Sequence, residues 1–354
     1  MRQTLLKVLG RTIPLRVVAA RKLIKHLALF SYPERLDIGA VERPHYGHCI
    51  YEAAKLAARL KYPEMSVVEF GCGGGNGLLN AETHIAEIEK LLPVKIQLYG
   101  FDNAAGLPPA EDYRDFPHYF RPGQFRMDSD ALRKKLARAR LVLGDVAETS
   151  KTFFGEIDPA PIGAIFHDLD FYSSTCEALR LFDADPRYFL PRVFMYFDDI
   201  KGDNTWLPSE HAGESLAINE FNKQHDLKKI ALNRGMPHSY WDQWWVDQIY
   251  IYHDFQHPDY NVLSAAQSRQ GTTRASSFGD SKESRSPRSV QFGARGPASP
   301  GLGVARWRQA AKRLSRGSQT GRSVGARKSG LRRCVPVEVS RRPREWNRWP
   351  LFAC

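Results

Sequence analysis

The sequence predicts an α/β fold built on a doubly wound, mostly parallel sheet of seven strands. Short apolar runs recur along the middle of the chain, and most of the segments between them have helical spacing. This alternation is typical of a parallel sheet covered by helices on both faces. The expected strands are Ser66–Phe70, Val94–Phe101, Arg140–Gly144, Ile162–His167, Val193–Phe197, Leu227–Leu232 and Val246–Tyr252. The expected helices are His48–Leu60, Gly77–Leu92, Ser129–Ala137, Ser174–Phe182 and Glu214–Gln224.

Composition divides the 354 residues into three parts: a basic helical extension (1–45), the α/β domain (46–264) and a tail rich in Arg, Ser and Gly (265–354). The chain has 51 basic and 39 acidic residues, a net charge of +12. The tail holds 20 basic and 4 acidic residues, or +16, so residues 1–264 carry −4. The basic balance therefore belongs to the tail and does not indicate a nucleic-acid groove in the folded part.

Both terminal segments allow more than one interpretation. The tail has almost no apolar periodicity, which predicts disorder, either as a solvated segment or as one that binds polyanions non-specifically. A shifted reading frame would also give such a composition. Residues 1–30 contain seven basic and no acidic residues in an interrupted amphipathic pattern. That pattern predicts a helix that packs on the domain or on a second copy in a homo-oligomer, or one that contacts a membrane surface or an anionic ligand.

The five cysteines are scattered and include no C-x-x-C pair, which argues against a disulfide framework or a structural zinc site. A reducing, cytoplasmic environment fits this pattern best. No apolar stretch reaches the ~20 residues of a transmembrane helix, and charged residues and a proline interrupt the first apolar residues, unlike a signal peptide.

A glycine-rich turn follows the first expected strand, with Glu69 before it and Gly71, Gly73 and Gly75 alternating within it. Glycines between a strand and a helix let the backbone approach a ligand and expose amide groups at the helix N-terminus. The spacing fits neither G-x-G-x-x-G nor a P-loop. It resembles the first motif of class I S-adenosylmethionine-dependent methyltransferases, and the resemblance implies a Rossmann-like methyltransferase fold.

The same resemblance gives roles to two acidic residues that follow the next two strands. Asp102 ends the second strand, where the family binds the ribose hydroxyls of S-adenosylmethionine, and a carboxylate can accept two hydrogen bonds from a diol. Asp145 follows the third strand and corresponds to an acidic position near the adenine. Capping of the next helix explains Asp145 equally well.

Asp168 follows the fourth strand, and Asp198 and Asp199 follow the fifth. The carboxyl ends of parallel strands open at one edge, where doubly wound folds bind their ligands. Three carboxylates at this edge would repel one another unless a cation neutralised them, and oxygen ligands favour Mg²⁺, Ca²⁺ or Mn²⁺. The alternative is capping of the following helices. For Asp170, the alternative is that the residue simply lies in the segment leading into the next helix, which is expected to start with a Ser174–Glu177 capping box.

Several segments, taken in their order along the chain, resemble the macrocin O-methyltransferase group, and the resemblance covers about residues 46–252. These are Gly100–Asp102 with Gly106–Pro108, Gly144–Asp145 with Glu148–Thr149, Asp168–Thr175 and Phe197–Asp199. The resemblance implies metal-dependent methylation of a hydroxyl on a sugar or natural product, with Asp168, Asp198 and Asp199 holding a divalent cation, Mg²⁺ being expected.

Sequence offers Asp168 and His211 as candidates for the base that removes the hydroxyl proton, whereas His167 is expected to be a packed strand-end residue. Two other functions stay open: a nucleic-acid methyltransferase that uses the basic tail, and a non-catalytic scaffold that binds the cofactor. No Asp/Asn-Pro-Pro-Tyr/Phe segment, common in amine-directed DNA methyltransferases, is present.

Overall fold

The computed structural model describes residues 15–26, 30–236 and 243–262. Within them the chain forms one seven-stranded sheet in the order β3-β2-β1-β4-β5-β7-β6. The strands are β1 (Glu64–Phe70), β2 (Lys95–Asp102), β3 (Arg140–Leu143), β4 (Ile162–His167), β5 (Phe189–Phe197), β6 (Lys228–Leu232) and β7 (Ile249–Asp254). Neighbours from β3 to β5 are parallel, and only β7 runs antiparallel to its neighbours β5 and β6. The predicted α/β, doubly wound, mostly parallel sheet of seven strands is confirmed.

Helices precede β1, connect the successive strands from β1 to β6 and cover both faces of the sheet. They are α1 (Leu15–His26), α2 (Tyr32–Asp37), α3 (Pro44–Leu60), α4 (Asn76–Ile88), α5 (Ser129–Arg133), α6 (Val146–Ile157), α7 (Tyr172–Leu179) and α8 (Gly213–Gln224). Helix α6, between β3 and β4, was not among the expected helices. The predicted tail, residues 265–354, lies outside the described residues.

Several predicted boundaries were wrong by a few residues. β5 begins four residues earlier than expected, and β7 begins three residues later because Val246–Gln248 forms a 3₁₀ turn. Helix α7 begins at Tyr172, with Phe171 at its N-cap position. Ser174 is therefore the third residue of the helix and not its cap, so the predicted Ser174–Glu177 capping box was wrong.

Two apolar clusters pack on opposite faces of the sheet. One joins α3 and α4 to β1 and reaches Tyr32 and Leu36 of α2; the other packs α6, α7 and α8 against β4 and β5. Such burial contributes about 25 cal/mol per Å² of apolar surface removed from water. Helix α2 thus belongs to the same core as the sheet.

His167 lies at the end of β4 as a packed side chain, as predicted. Its ring stacks on Phe197, with centroids 4.4 Å apart, and lies 5.4 Å from the ring of Phe70. Burial lowers the pKa of His167 to about 3. The imidazole is therefore neutral and belongs to the core.

No helix in the described parts of the chain is both long enough and apolar enough to cross a membrane.

The segment after β7 is fastened to the domain up to its last described residues. Tyr62 donates a hydrogen bond to Asp259 at 2.6 Å, and the guanidinium of Arg192 lies 4.0 Å from the ring centroid of Tyr260. These contacts hold Asp259 and Tyr260 against the domain.

We predict that a chain ending at Ser264 folds as stably as the full chain, because the seven strands and the anchoring contacts of Asp259 and Tyr260 precede that residue. Thermal unfolding should give melting temperatures within about 2 °C of each other, a difference below about 1 kcal/mol. Unfolding or aggregation of the shortened chain would show that residues 265–354 contribute to the core.

Candidate active site

A cavity of about 410 Å³ opens at the carboxyl ends of β1 to β5. Its wall contains Glu69, glycines of the turn after β1, Asp102, Asp145, Asp168, Asp198 and Asp199. Acidic residues that are far apart in the sequence are therefore brought together at the edge where doubly wound folds bind their ligands. The predicted residues Gly75 and His211 do not line this cavity.

The glycine turn brings backbone to the cavity in a conformation that side chains would obstruct. Gly71 has φ +81°, and a Cβ there would lie 1.8 Å from the carbonyl oxygen of Asp168. Gly73 has φ +46°, and a Cβ at Gly74 would meet no atom within 4 Å. The backbone at Gly73 and Gly74 is therefore open to a ligand.

Gly75 has a packing function in this structure. It lies at the N-cap position of α4 with φ +77°, and a Cβ there would lie 2.1 Å from Cδ1 of Leu132. Its predicted role in cofactor binding has no support from its position, since the residue faces the core.

Glu69 is the deepest acid of the site, with 1% of its surface exposed. The hydroxyl of Tyr46 donates a 2.7 Å hydrogen bond to Oε1, while the buried Oε2 has no hydrogen-bond partner among the described residues. A Cβ at Gly77 would lie 1.9 Å from Oε1, so this glycine lets α4 approach the carboxylate. Burial raises the pKa of Glu69 to about 7, against a lowering effect of Tyr46 and Arg43. A buried carboxylate with an unpartnered oxygen suits a cationic ligand.

Asp102 and Asp145 lie beside the glycine turn and organise backbone there. Asp102 accepts hydrogen bonds from the amides of Gly73 (2.9 Å) and Ala104 (2.6 Å). Asp145 caps α6 by accepting from the amide of Ala147 at 2.8 Å, and it also lines the cavity. Capping and ligand contact are therefore compatible for Asp145.

The carboxylates of Asp168, Asp198 and Asp199 each offer one oxygen, and these three oxygens lie within 4.8 Å of one another. The hydroxyl of Tyr196 donates to Oδ1 of Asp198 at 2.5 Å. Burial raises the pKa of Asp168, and the neighbouring Asp198 raises it further. Three crowded carboxylates of this kind match the oxygen-only ligand set that hard divalent cations prefer.

Hydrogen bonds to Glu214, which lies behind the cavity wall, and to the backbone of Asp170 hold Asp199 in place. Its amide donates to Oε2 of Glu214 at 2.9 Å, and its own Oδ2 accepts from the amide of Asp170 at the same distance. Burial raises the pKa of both Asp199 and Glu214. Glu214 was not among the predicted site residues, because nothing in the α8 pattern distinguishes it from an ordinary first-turn acid.

Asp170, which the sequence pattern assigned to the approach of a helix, also lines the cavity. It has a left-handed φ of +61° and precedes α7 by two residues. Burial, together with the charge of Asp198, raises the pKa of Asp170 to about 7. The residue is therefore part of the acidic wall as well as of the turn before α7.

His211, predicted as a candidate base, is exposed on the turn before α8, where its amide donates to the hydroxyl of Ser209 at 3.3 Å. This position does not bring its side chain into the cavity wall.

Known structures resemble this chain at low identity. The calicheamicin methyltransferase CalS11 is 21% identical over 72% of this chain and 90% of its own, with a TM-score of 0.42. The O-methyltransferase NovP is 14% identical over 60% of this chain and 79% of its own, with a TM-score of 0.41. The MycE methyltransferase, in complex with Mg, SAH and mycinamycin VI, is 14% identical over 69% of this chain and 56% of its own, with a TM-score of 0.33.

No family model matches the chain, and no curated protein matches it either. The predicted Rossmann-like methyltransferase fold is confirmed by the order of the seven strands, the helices on both faces of the sheet and the glycine turn after β1. At these identities and TM-scores, the function must be argued from the chain's own residues.

We predict that Glu69→Gln becomes more stable relative to the parent as the pH rises. The pKa of Glu69 is raised from 4.5 to about 7 in the folded chain, so its favourable contribution is complete below pH 4.5 and is lost as the pH rises through 7. The difference in the free energy of unfolding should change by up to about 3 kcal/mol between pH 4.5 and 8, at 1.36 kcal/mol per pKa unit. Urea unfolding of both proteins at several pH values measures this difference. A difference that stays the same between about pH 4.5 and 8 would contradict the raised pKa of Glu69.

Proposed function

We propose that this protein is an S-adenosylmethionine-dependent O-methyltransferase that uses a divalent cation, expected to be Mg²⁺, and acts on a hydroxyl group of a sugar or natural product. One observation carries the proposal: the glycine turn with Glu69 and Asp102, and the cluster of Asp168, Asp198 and Asp199, open into the same cavity. A methyl donor and a metal-bound acceptor would thus lie side by side.

The cofactor's groups find matching partners in the wall. The unpartnered Oε2 of Glu69 can accept from the ammonium group, and the open backbone at Gly73 and Gly74 admits the sugar and sulfonium portion. Each carboxylate oxygen of Asp102 already accepts one hydrogen bond from a backbone amide. Each oxygen keeps a second lone pair that can accept a hydrogen bond from a ribose hydroxyl. Asp145 and the start of α6 would lie at the adenine end.

The aspartate cluster would hold the cation through Asp168, Asp198 and Asp199. When bound, a divalent cation lowers the pKa of a coordinated hydroxyl and orients it. The protein's contribution is to fix the carboxylate of Asp198 through Tyr196 and that of Asp199 through the Asp170 amide, so that the acceptor can be aligned with the methyl group.

Asp170 is better placed than His211 to receive the hydroxyl proton, because Asp170 lines the cavity and His211 does not. Asp168, the other candidate from sequence, would be engaged as a metal ligand. The acceptor's ring or chain would lie between the cluster and the loop that carries Leu107 and Phe125.

We predict that Gly73→Val abolishes binding of S-adenosylhomocysteine, because a branched side chain at φ +46° is strained and would project from a backbone that the ligand must approach. Isothermal titration calorimetry should show binding by the parent chain and at least a 100-fold weaker affinity in the variant. Gly155→Val is the matched control, since no atom outside its own helical backbone and chain neighbours lies within 4 Å of the position that a Cβ there would take, and the residue lies outside the cavity. Parent-like affinity in Gly73→Val would refute this cofactor site.

We predict that Asp168→Asn and Asp199→Asn each reduce methyl transfer at least 100-fold, because each removes a charged ligand with little change in volume. Mn²⁺ binding, followed by electron paramagnetic resonance, should weaken in the same variants. EDTA should abolish turnover by the parent chain, and added Mg²⁺ should restore it. The control is Asp130→Asn, because the Asp130 side chain is 84% exposed and does not line the cavity. Full activity of both variants, together with insensitivity to EDTA, would make the cluster structural.

A further inference from the structure

Arg43 lines the cavity beside Glu69, although it precedes the predicted methyltransferase domain. It occupies the N-cap position of α3, with φ 41° and ψ 64°, and Pro44 follows it. Its guanidinium carbon lies 5.4 Å from the ring centroid of Tyr46, whose hydroxyl binds Glu69. The start of α3 therefore places the guanidinium of Arg43 at the end of the cavity where Glu69 lies.

The guanidinium of Arg43 is close to several acids but forms an ion pair with none of them. Among the described residues, no carboxylate oxygen lies within 4.0 Å of it. Burial lowers the pKa of Arg43, and Tyr46 with the charges of Glu69, Asp168 and Asp198 outweighs that effect and raises it. Arg43 is thus a permanent charge whose donors remain available to a ligand.

The cavity's charge balance makes this cation necessary for an anionic ligand group. In the described part of the chain, only two basic side chains, those of Arg43 and Arg126, line the cavity. Its wall includes seven acidic side chains: Glu69, Asp102, Asp145, Asp168, Asp170, Asp198 and Asp199. Arg126 is exposed on the loop after β2, within 3.3 Å of the position that a Cβ on Gly123 would take. Arg43 is the cation that neighbours Glu69.

We propose that Arg43 binds the α-carboxylate of S-adenosylmethionine while Glu69 accepts hydrogen bonds from its ammonium group. The inference rests on the proposed function, because it assumes that the cofactor lies in this cavity. A planar guanidinium matches a carboxylate through two parallel N–H donors, and a carboxylate matches an ammonium. The pair would select a ligand that carries a complete amino-acid end and would set its depth in the cavity.

The test is a comparison of two ligands that differ only in the carboxylate: S-adenosylhomocysteine and its decarboxylated analogue, S-adenosyl-3-thiopropylamine. Calorimetric titration of Arg43→Gln should show affinity for S-adenosylhomocysteine reduced about 10- to 100-fold, the range for a hydrogen bond between charged groups. Affinity for the decarboxylated analogue should change less than about threefold. Arg43→Lys should fall between the parent and Arg43→Gln, because it keeps the charge and loses the planar pair of donors.

Arg59→Gln is the matched control, since Arg59 is exposed on the last turn of the same helix and lies outside the cavity. It should leave both affinities unchanged. Thermal unfolding of the ligand-free variants distinguishes a variant that fails to fold from one that folds but has lost the contact with the carboxylate. If Arg43→Gln is unstable, the affinities of Arg43→Lys for the two ligands test the proposal.

Equal loss of affinity for both ligands in Arg43→Gln and Arg43→Lys would overturn the assignment of Arg43 and leave the cofactor site standing. Unchanged affinity for S-adenosylhomocysteine in both variants would overturn it as well. Failure of the parent chain to bind S-adenosylhomocysteine would overturn the proposed function, and the role of Arg43 with it.

Discussion

The parallel hydrogen-bond ladder extends one residue past the ends of the central strands, and the site depends on this extension. The amide of Asp168 donates to the carbonyl of Phe70 at 3.0 Å, and the amide of Asp198 donates to the carbonyl of His167 at 2.9 Å. The amide of Gly71 is held in the same way by Phe101. The backbone of Gly71, Asp168 and Asp198 is therefore fixed by the strand beside each residue, and the side chains of the two aspartates converge because the strands do.

This convergence concentrates negative charge that the apolar core beneath it cannot solvate. Removal from water raises the pKa of Glu69, Asp168 and Asp199, which records the unfavourable free energy of keeping them ionised together. Oε2 of Glu69 accepts no hydrogen bond from the described residues, and Arg43 supplies a compensating charge nearby. A site of this kind gains most from ligands that bring positive charge, which a sulfonium cofactor and a divalent cation both do.

The sequence predicted the sheet and its acidic edge because strand periodicity and strand-end position are local properties. The seven strands, the turn at Gly71–Gly77 and the meeting of Asp168 with Asp198 follow from apolar runs and parallel pairing. Helix α6 was missed because its sequence is rich in Thr and Ser and contains Gly155, so that the Asp145 cap and the packing of Phe153 decide its conformation.

Other features depended on tertiary contacts that no local pattern reveals. Arg43 lies before a proline, and only the packing of α3 on β4 and β5 brings it to the cavity. Asp170 enters the wall through a left-handed turn, whereas Gly75 lies outside the wall, where Leu132 leaves no room for a side chain. His211 follows β5 in the sequence, which made it a candidate base, but the loop before α8 exposes it to solvent.

The most direct test of a shared site for cofactor and cation is a crystal structure of the protein grown with S-adenosylhomocysteine and Mn²⁺, with data collected at the manganese absorption edge. We expect one anomalous peak coordinated by Asp168, Asp198 and Asp199, and the cofactor's amino-acid end between Glu69 and Arg43 in the same cavity. Manganese bound elsewhere, or a cofactor that leaves the glycine turn uncovered, would contradict the shared site.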